Sequence, residues 1–458
     1  MAKIAITAGP TGKQVAVIGG GWAGCAAAVE LAAAGCAVTL FDAARTLGGR
    51  ARGVEVRGRM LDNGQHILLG AYTDTLRLLR RVGVDPAAAL LNLPLQMRYP
   101  EGSGGIDFVA PRLPAPFHLA VALLRAKGLG LADKMALARF SSTARWMGWQ
   151  LNIDCSVAEL LERFDQTPRL VQLMWRPLCL AALNTPPESA SAKVFLAVLR
   201  DSLGAGRAAS DMLLPRRDLS TLFPAAAARF IEQHGGAVRC GAKVTTLMRE
   251  AGRWRIDAAG KAVGGNSSAL FDAVVLAVAP PAACTLLSGL PLGDLLDRLA
   301  AFAYQPITTC YLQYAATVRL GLPFYALADD PARGHWGQFV FDRGQLDGGQ
   351  AGMVSVVVSA SSAAATLGQA ALAHAIAEQL AALFCRPELA APAWSQVITE
   401  KRATFACTPG LQRLPTASGL PGLVLAGDHT ASDYPATLET AVRSGAAAAR
   451  AIVAPAAA

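Results

Sequence analysis

Gln14-Val-Ala-Val-Ile18, Gly19-Gly-Gly-Trp-Ala-Gly24, the alanine-rich run Cys25 to Ala34, and Ala37-Val-Thr-Leu-Phe-Asp42 follow one another without interruption, and their order decides the fold. The first five residues are an apolar run of the length of a buried parallel strand. The alanine-rich run favours helix, and Gly35 stops it. Ala37 to Phe41 reads as a second strand, with Asp42 at its end, 23 residues after Gly19. Each piece has a physical task. Gly19 permits a tight turn, Gly21 lets a diphosphate approach the backbone, and Gly24 lets helix and strand pack closely. The helix start around Trp22 and Ala23 offers unpaired N–H groups and a positive dipole end to that diphosphate. Asp42 accepts hydrogen bonds from a ribose. Together the pieces predict dinucleotide binding.

Working outward, Arg45-Thr-Leu-Gly-Gly-Arg50 adds a second glycine pair, which allows close backbone approach, and arginines (Arg45, Arg50, with Arg52 beyond) that neutralise diphosphate charge. Near the other end, Leu423-Val-Leu-Ala426 is an apolar strand running into Gly427-Asp428, and Pro435-Ala-Thr-Leu438 leads into an alanine-rich helix. Asp428 at a strand end suits a hydroxyl ligand, and Thr437 and Leu438 open a helix whose free N–H groups suit carbonyl acceptors. Gly236 to Val244 reads as strand, turn and strand, and Phe271 to Pro280 as a returning strand.

The glycine turn, the segment ending at Gly49-Arg50 and the Gly427-Asp428 strand end together resemble the FAD-dependent amine oxidase and phytoene desaturase superfamily. The resemblance implies FAD as cofactor, with Asp428 at its ribityl hydroxyls and Thr437 and Leu438 at the carbonyls of its flavin pyrimidine. It also implies a backbone contact to adenine near Val244, where plain sheet packing is the other reading. The fold class is then α/β: a Rossmann-like FAD-binding domain (residues 1–70, 208–285 and 396–458) with a discontinuous mixed α+β substrate domain (71–207 and 286–395). The first insert is mostly helical. In it Thr185-Pro-Pro-Glu188 is expected to act as a capping box. No second glycine fingerprint follows a strand, so an external electron donor is expected.

Composition agrees with a packed enzyme. Of 458 residues 53% are hydrophobic and 16% charged, against roughly 25% charged in ordinary soluble domains, which excludes disorder. The net charge of +9 comes from 42 basic residues, 34 of them arginine, scattered without a long basic run, so nucleic acid is not an expected partner. A mean hydropathy of +0.35 points to a large apolar pocket or surface patch. The nine cysteines form no close pair and read as buried thiols in a reducing cytoplasm. The six histidines form no metal-binding pair, so no metal site is expected. Met1 to Gly12 lacks a secretory core. Leu113-Pro-Ala-Pro-Phe-His-Leu-Ala-Val-Ala-Leu-Leu124, flanked by Arg112 and Arg125, is too short to span a bilayer; it reads either as a buried helix or as an interfacial anchor.

Three further stretches narrow the resemblance: Leu61-Asp-Asn-Gly-Gln-His66 through Tyr72, Trp175 to Glu188, and Glu400 to Cys407. With Gly427-Asp-His-Thr430 they are similar to the hydroxysqualene dehydroxylase family, also called squalene-associated FAD-dependent desaturases. The similarity covers nearly the whole chain beyond the first dozen residues. It implies reduction of an apolar C30 allylic alcohol to squalene with loss of water, in hopanoid synthesis, and a cytoplasmic protein with peripheral contact on the inner face of the cytoplasmic membrane. It also implies that Gly64, Gln65 and His66 lie at the flavin. The chemistry needs a proton donor, a reduced flavin and a dry slot. Candidate donors are Asp62 and Asp433, then His66, His429 and Tyr434; holding the loop and touching the cofactor is the other reading for each. Oxidative desaturation of a carotenoid-type isoprenoid on the same scaffold, and a non-redox prenyl-lipid carrier, are the rival functions. An amine oxidase is less well matched, because Tyr434 has no evident aromatic partner.

Overall fold

The computed structural model describes residues 2–3 and 12–454. Its organising layer is a five-stranded parallel sheet built from three distant parts of the chain. The strands are β1 (Gln14–Ile18), β2 (Ala37–Asp42), β3 (Ala237–Cys240), β4 (Ala273–Leu276) and β5 (Leu423–Leu425), in the order β3-β2-β1-β4-β5. The three central strands are apolar because both faces are covered: Val15, Val17, Val274 and Val275 have essentially no solvent contact. The first helix (Trp22–Ala33) and the C-terminal helix (Leu438–Val453) pack together over one face. Alanine dominates both, which lets their backbones approach.

A second sheet is antiparallel. Its order is Phe324–Ala326, Phe339–Asp342, Met353–Val358, Tyr304–Gln313 and Trp394–Phe405. The edge strand Trp394–Phe405 bulges. Gln305 pairs with Thr404, but Ile307 pairs with Glu400, so Lys401 to Ala403 bow away from the ladder. Such an extra loop of chain re-aims side chains beside it, and here it turns the strand toward the parallel sheet.

The remaining insert is mostly helical, including Phe117–Arg125, Leu131–Trp146, Arg176–Leu183 and Ala192–Ser202. One expectation fails in this region. Thr185 to Glu188 does not cap a helix. It forms a turn in which the Ser189 and Ala190 N–H groups donate to the Pro186 carbonyl, and the next helix is capped by Ser191, whose hydroxyl accepts from the Val194 N–H. The Thr185 hydroxyl instead donates to the Leu183 carbonyl and accepts from the Cys407 N–H, a tertiary contact 222 residues away that outweighs the local signal. The Leu113–Leu124 segment is neither wholly buried nor wholly free. His118 and Ala122 are buried, while Phe117 and Leu124 are exposed. Among the described residues no helix is long and apolar enough to cross a membrane, no group of three His, Cys, Asp or Glu could hold a metal ion, and the cysteines are free thiols.

Candidate functional site

A cavity of about 410 Å³ runs along the C-terminal ends of β1, β2 and β4 to the start of the C-terminal helix, where open α/β sheets place their ligands. Its first wall is backbone. Gly48 N–H donates to the Gly20 carbonyl, and the Trp22 indole donates to the Ala51 carbonyl at 3.0 Å, so the two glycine turns are stitched face to face. A Cβ on Gly21 would point at the Cα of Gly49 across 3.9 Å, into the channel between the turns. Gly24 is needed for a different reason: a Cβ there would sit 1.8 Å from the Gly19 carbonyl oxygen. No side chain caps the first helix, so its leading N–H groups are left to the cavity. Asp42 lines the far end, its carboxylate accepting from the Gly20 and Ala44 N–H groups at 2.6 Å each.

Arg50 and Asp428 close the middle. The guanidinium donates to Asp428 Oδ1 at 2.6 Å and to the Ala403 carbonyl, on the bulged strand, at 3.0 Å. Burial alone would raise the Asp428 carboxyl, but Arg50 beside it holds it well below the usual range. His429, on the same wall, keeps its buried Nδ1 without a hydrogen-bond partner, 3.8 Å from Asp428. Thr437 caps the C-terminal helix, its hydroxyl accepting from the Thr440 N–H, and lines the cavity with Leu438.

The cavity therefore brings together Gly19, Gly21, Trp22, Ala23, Asp42, Gly49, Arg50, Gly64, Gln65, His66, Gly427, Asp428, Thr437 and Leu438. Gly24 packs behind the turn. Arg45 is exposed and off the wall. Val244 is buried in a strand pair with Ala258; the turn before it donates from Gly241 and Ala242 to the carbonyls of Ala44 and Asp42, at the Asp42 end of the cavity, but Val244 is not on the wall.

Of the five proton-donor candidates two reach the wall, His429, described above, and His66. The His66 Nδ1 donates to the Gly64 carbonyl at 2.7 Å, and burial lowers its pKa against that bond. Asp62 lies behind it. Its carboxylate accepts from the Leu219 N–H at 2.8 Å, and burial, opposed by Arg343, pushes it up to about 6. The Asp433 carboxylate is 77% exposed and 4.0 Å from Arg200. The Tyr434 hydroxyl donates to Asp201, and Arg443 stacks over its ring. The wall also carries Asn63, Asn184, Ser359, Glu400 and Thr404, to which sequence reasoning assigned no role. Asn63, Asn184, Glu400 and Thr404 do lie in stretches singled out above. Asn184 occupies the left-handed region (φ 48°), where its amide donates to Thr404 and the Gln305 carbonyl and accepts from the Ala360 N–H.

A second cavity, of about 580 Å³, is lined by Leu119, Leu123, Phe140, Trp175, Leu178 and other apolar side chains with few polar groups. Ala182 belongs to the walls of both cavities. The helix Arg176–Leu183 is thus the partition between a polar, glycine-walled groove and a greasy slot.

A parallel sheet with a glycine-walled groove, stitched to a second glycine turn and closed by a strand-end acid and a helix start, is the architecture of an FAD-dependent oxidoreductase. The groove passes its own test for that cofactor. It offers uncapped N–H groups at the first helix, a close approach of the two glycine turns, where a Cβ on Gly49 would sit 3.1 Å from the Gly21 Cα, and the acids Asp42 and Asp428. Residues 22–453 match the model of the flavin containing amine oxidoreductase family, and the chain belongs to that family. It is 29% identical to the hydroxysqualene dehydroxylase of Sinorhizobium fredii and 31% identical to that of Rhodopseudomonas palustris; each match covers 94% of this chain and 96% of the relative. A variant of putrescine oxidase superposes with a TM-score of 0.72 at 16% identity, covering 97% of this chain and 99% of that one, a likeness of fold.

Proposed function

We propose that the protein reduces a C30 allylic alcohol, hydroxysqualene, to squalene. The carbon–oxygen bond breaks, a hydride and a proton are taken up, and water leaves. The observation that carries this reading is the shared wall at Ala182, which sets an apolar slot directly against the cofactor groove. The whole-length similarity to two hydroxysqualene dehydroxylases supports it.

Reduced FAD, when bound, supplies the hydride. Gly21, Gly49 and the start of the first helix would hold its diphosphate, Asp42 a ribose, Asp428 and the C-terminal helix start the flavin end. Arg50 keeps Asp428 ionised, so that carboxylate accepts hydrogen bonds and does not serve as the proton donor. The slot keeps water from a developing cation, which water would otherwise capture. His66 is the proton carrier of this reading. Its Nδ1–H is engaged by Gly64, leaving Nε2 as the working atom. Burial makes its imidazolium a stronger acid, suited to protonating a departing hydroxyl. Electrons come from an external donor, and a substrate of this kind reaches the protein from a membrane.

The test is anaerobic mixing. Reduced protein with hydroxysqualene is expected to re-oxidise and to yield one squalene per flavin. Reduced protein that stays reduced, while the oxidised form is bleached by a saturated isoprenoid precursor, would replace this reading with a desaturase.

A further inference from the structure

Among the described residues, seven of the eleven exposed large apolar side chains fall between positions 113 and 153. Phe117 is 62% exposed, Leu124 74%, Leu131 76%, Trp146 85% and Ile153 83%, with Met135 at 57%. Exposed apolar residues scattered singly need no explanation, but a contiguous patch does. These are patterned. Phe117, Ala120 and Leu124 share the outward face of one helix; Leu131, Met135, Ala138 and Ser142 share that of the next. Lys134 Nζ donates to the Leu124 carbonyl at 2.8 Å and ties the two helices together.

Two further observations say what covers this face. The first is the apolar cavity. Pro116, Ala120, Ala138, Ser142 and Arg145 line it and are also exposed, so its mouth opens between the two helices. The second is charge. Arg112, Arg125, Lys127, Arg139 and Arg145 are exposed around the patch. The one acid between 112 and 153 is Asp133, which is buried and occupied by the Gly130 N–H and the Thr167 hydroxyl. A greasy centre with a cationic rim, and with no exposed acid between residues 112 and 153, is complementary to an anionic lipid surface.

We propose that the outer faces of the helices Phe117–Arg125 and Leu131–Trp146 form a docking surface for an anionic phospholipid bilayer, seating the mouth of the apolar slot in the lipid. The inference rests on the isoprenoid reading above and deepens it: the substrate passes from bilayer to slot without crossing water. The apolar faces enter the acyl boundary while the arginines stay at the headgroups.

The test is co-sedimentation of the FAD-loaded full chain with vesicles of phosphatidylcholine alone and of phosphatidylcholine containing phosphatidylglycerol. Binding is expected to favour the anionic vesicles and to weaken with salt. Phe117→Glu/Leu124→Glu should lower the partition coefficient by roughly tenfold or more. Arg125→Glu/Arg139→Glu should abolish the lipid preference; both variants should keep their FAD absorbance. Equal binding by wild type and Phe117→Glu/Leu124→Glu would overturn the proposal. So would absence of wild-type binding, or a dimer that this variant makes monomeric with vesicle binding unchanged. Vesicle binding without turnover of hydroxysqualene would sink the isoprenoid reading alone; turnover of detergent-dispersed substrate without vesicle binding would sink the surface alone.

Discussion

Arg50 Nη2 and Asp428 Oδ1 lie 2.6 Å apart across 378 residues of chain. The pair clamps the second glycine turn to the strand end on the C-terminal side of the groove, with the Ala403 carbonyl as a third point. Asp428 is buried and the Arg50 side chain about a third exposed, so removing the arginine leaves the buried carboxylate uncompensated. Arg50→Met should therefore destabilise the protein by about 3 kcal/mol and lower FAD occupancy, read as a shifted urea midpoint and a reduced flavin-to-protein absorbance ratio. The pH sign follows from the depressed Asp428 carboxyl. Its stabilisation is present above the unfolded aspartate value of about 3.9 and fades as pH falls below it. The gap between wild type and Arg50→Met should close in acid; a gap that persists at low pH would rule out the ion pair as its source.

Gly24→Ala places a methyl on the Gly19 carbonyl. The turn must open, with an expected cost of about 3 kcal/mol from overpacking and loss of bound flavin. A purified variant with full flavin absorbance and an unchanged melting temperature would contradict the close packing.

Asp62 makes a prediction of opposite sign. Its carboxyl titrates at about 6 in the folded protein and near 3.9 unfolded, so the folded state holds the proton longer. Stability contributed by this group falls as pH rises from about 4 to about 6 and then levels. Asp62→Asn keeps an acceptor for the Leu219 N–H and removes the charge penalty. Above pH 6 it should gain about 1 to 3 kcal/mol, seen as a higher denaturant midpoint. Because Asp62 is off the cavity wall, turnover should survive; a flavin-loaded Asp62→Asn enzyme without turnover would make Asp62 the acid.

His66→Gln should retain flavin and lose kcat by roughly 100-fold or more, the usual worth of a positioned proton carrier. In the parent enzyme kcat should fall as pH rises through a midpoint below the ordinary imidazole value of about 6.5, since burial lowers this group and its protonated form is the active one. The variant should lose that limb of the profile. An unchanged pH profile would remove His66 from the proton path.

The strand, glycine turn and helix at the start of the groove were legible in the amino-acid order because they are local. Strand, glycine turn and helix from Gln14 to Ala33 are set by near neighbours: apolar β-forming residues, glycines where a Cβ would clash, and alanines that favour helix. The C-terminal counterpart at Gly427 to Leu438 was readable for the same reason. Thr185 shows the limit. Its local signal is a cap, but its hydroxyl is taken by the Cys407 N–H, and distance along the chain conceals that competitor.

What only the folded molecule decided is everything that depends on which distant surfaces meet. Asp62 and His66 are four residues apart, yet packing turns one behind the wall and the other onto it. Asn184 and Glu400 reach the groove because a left-handed helix end and a strand bulge aim them there. Ala182 becomes a shared partition only once two cavities form on either side of its helix. Residue order specifies local backbone preference, whereas burial, cavity walls and ion pairs arise from long-range close packing, whose outcome no single segment contains.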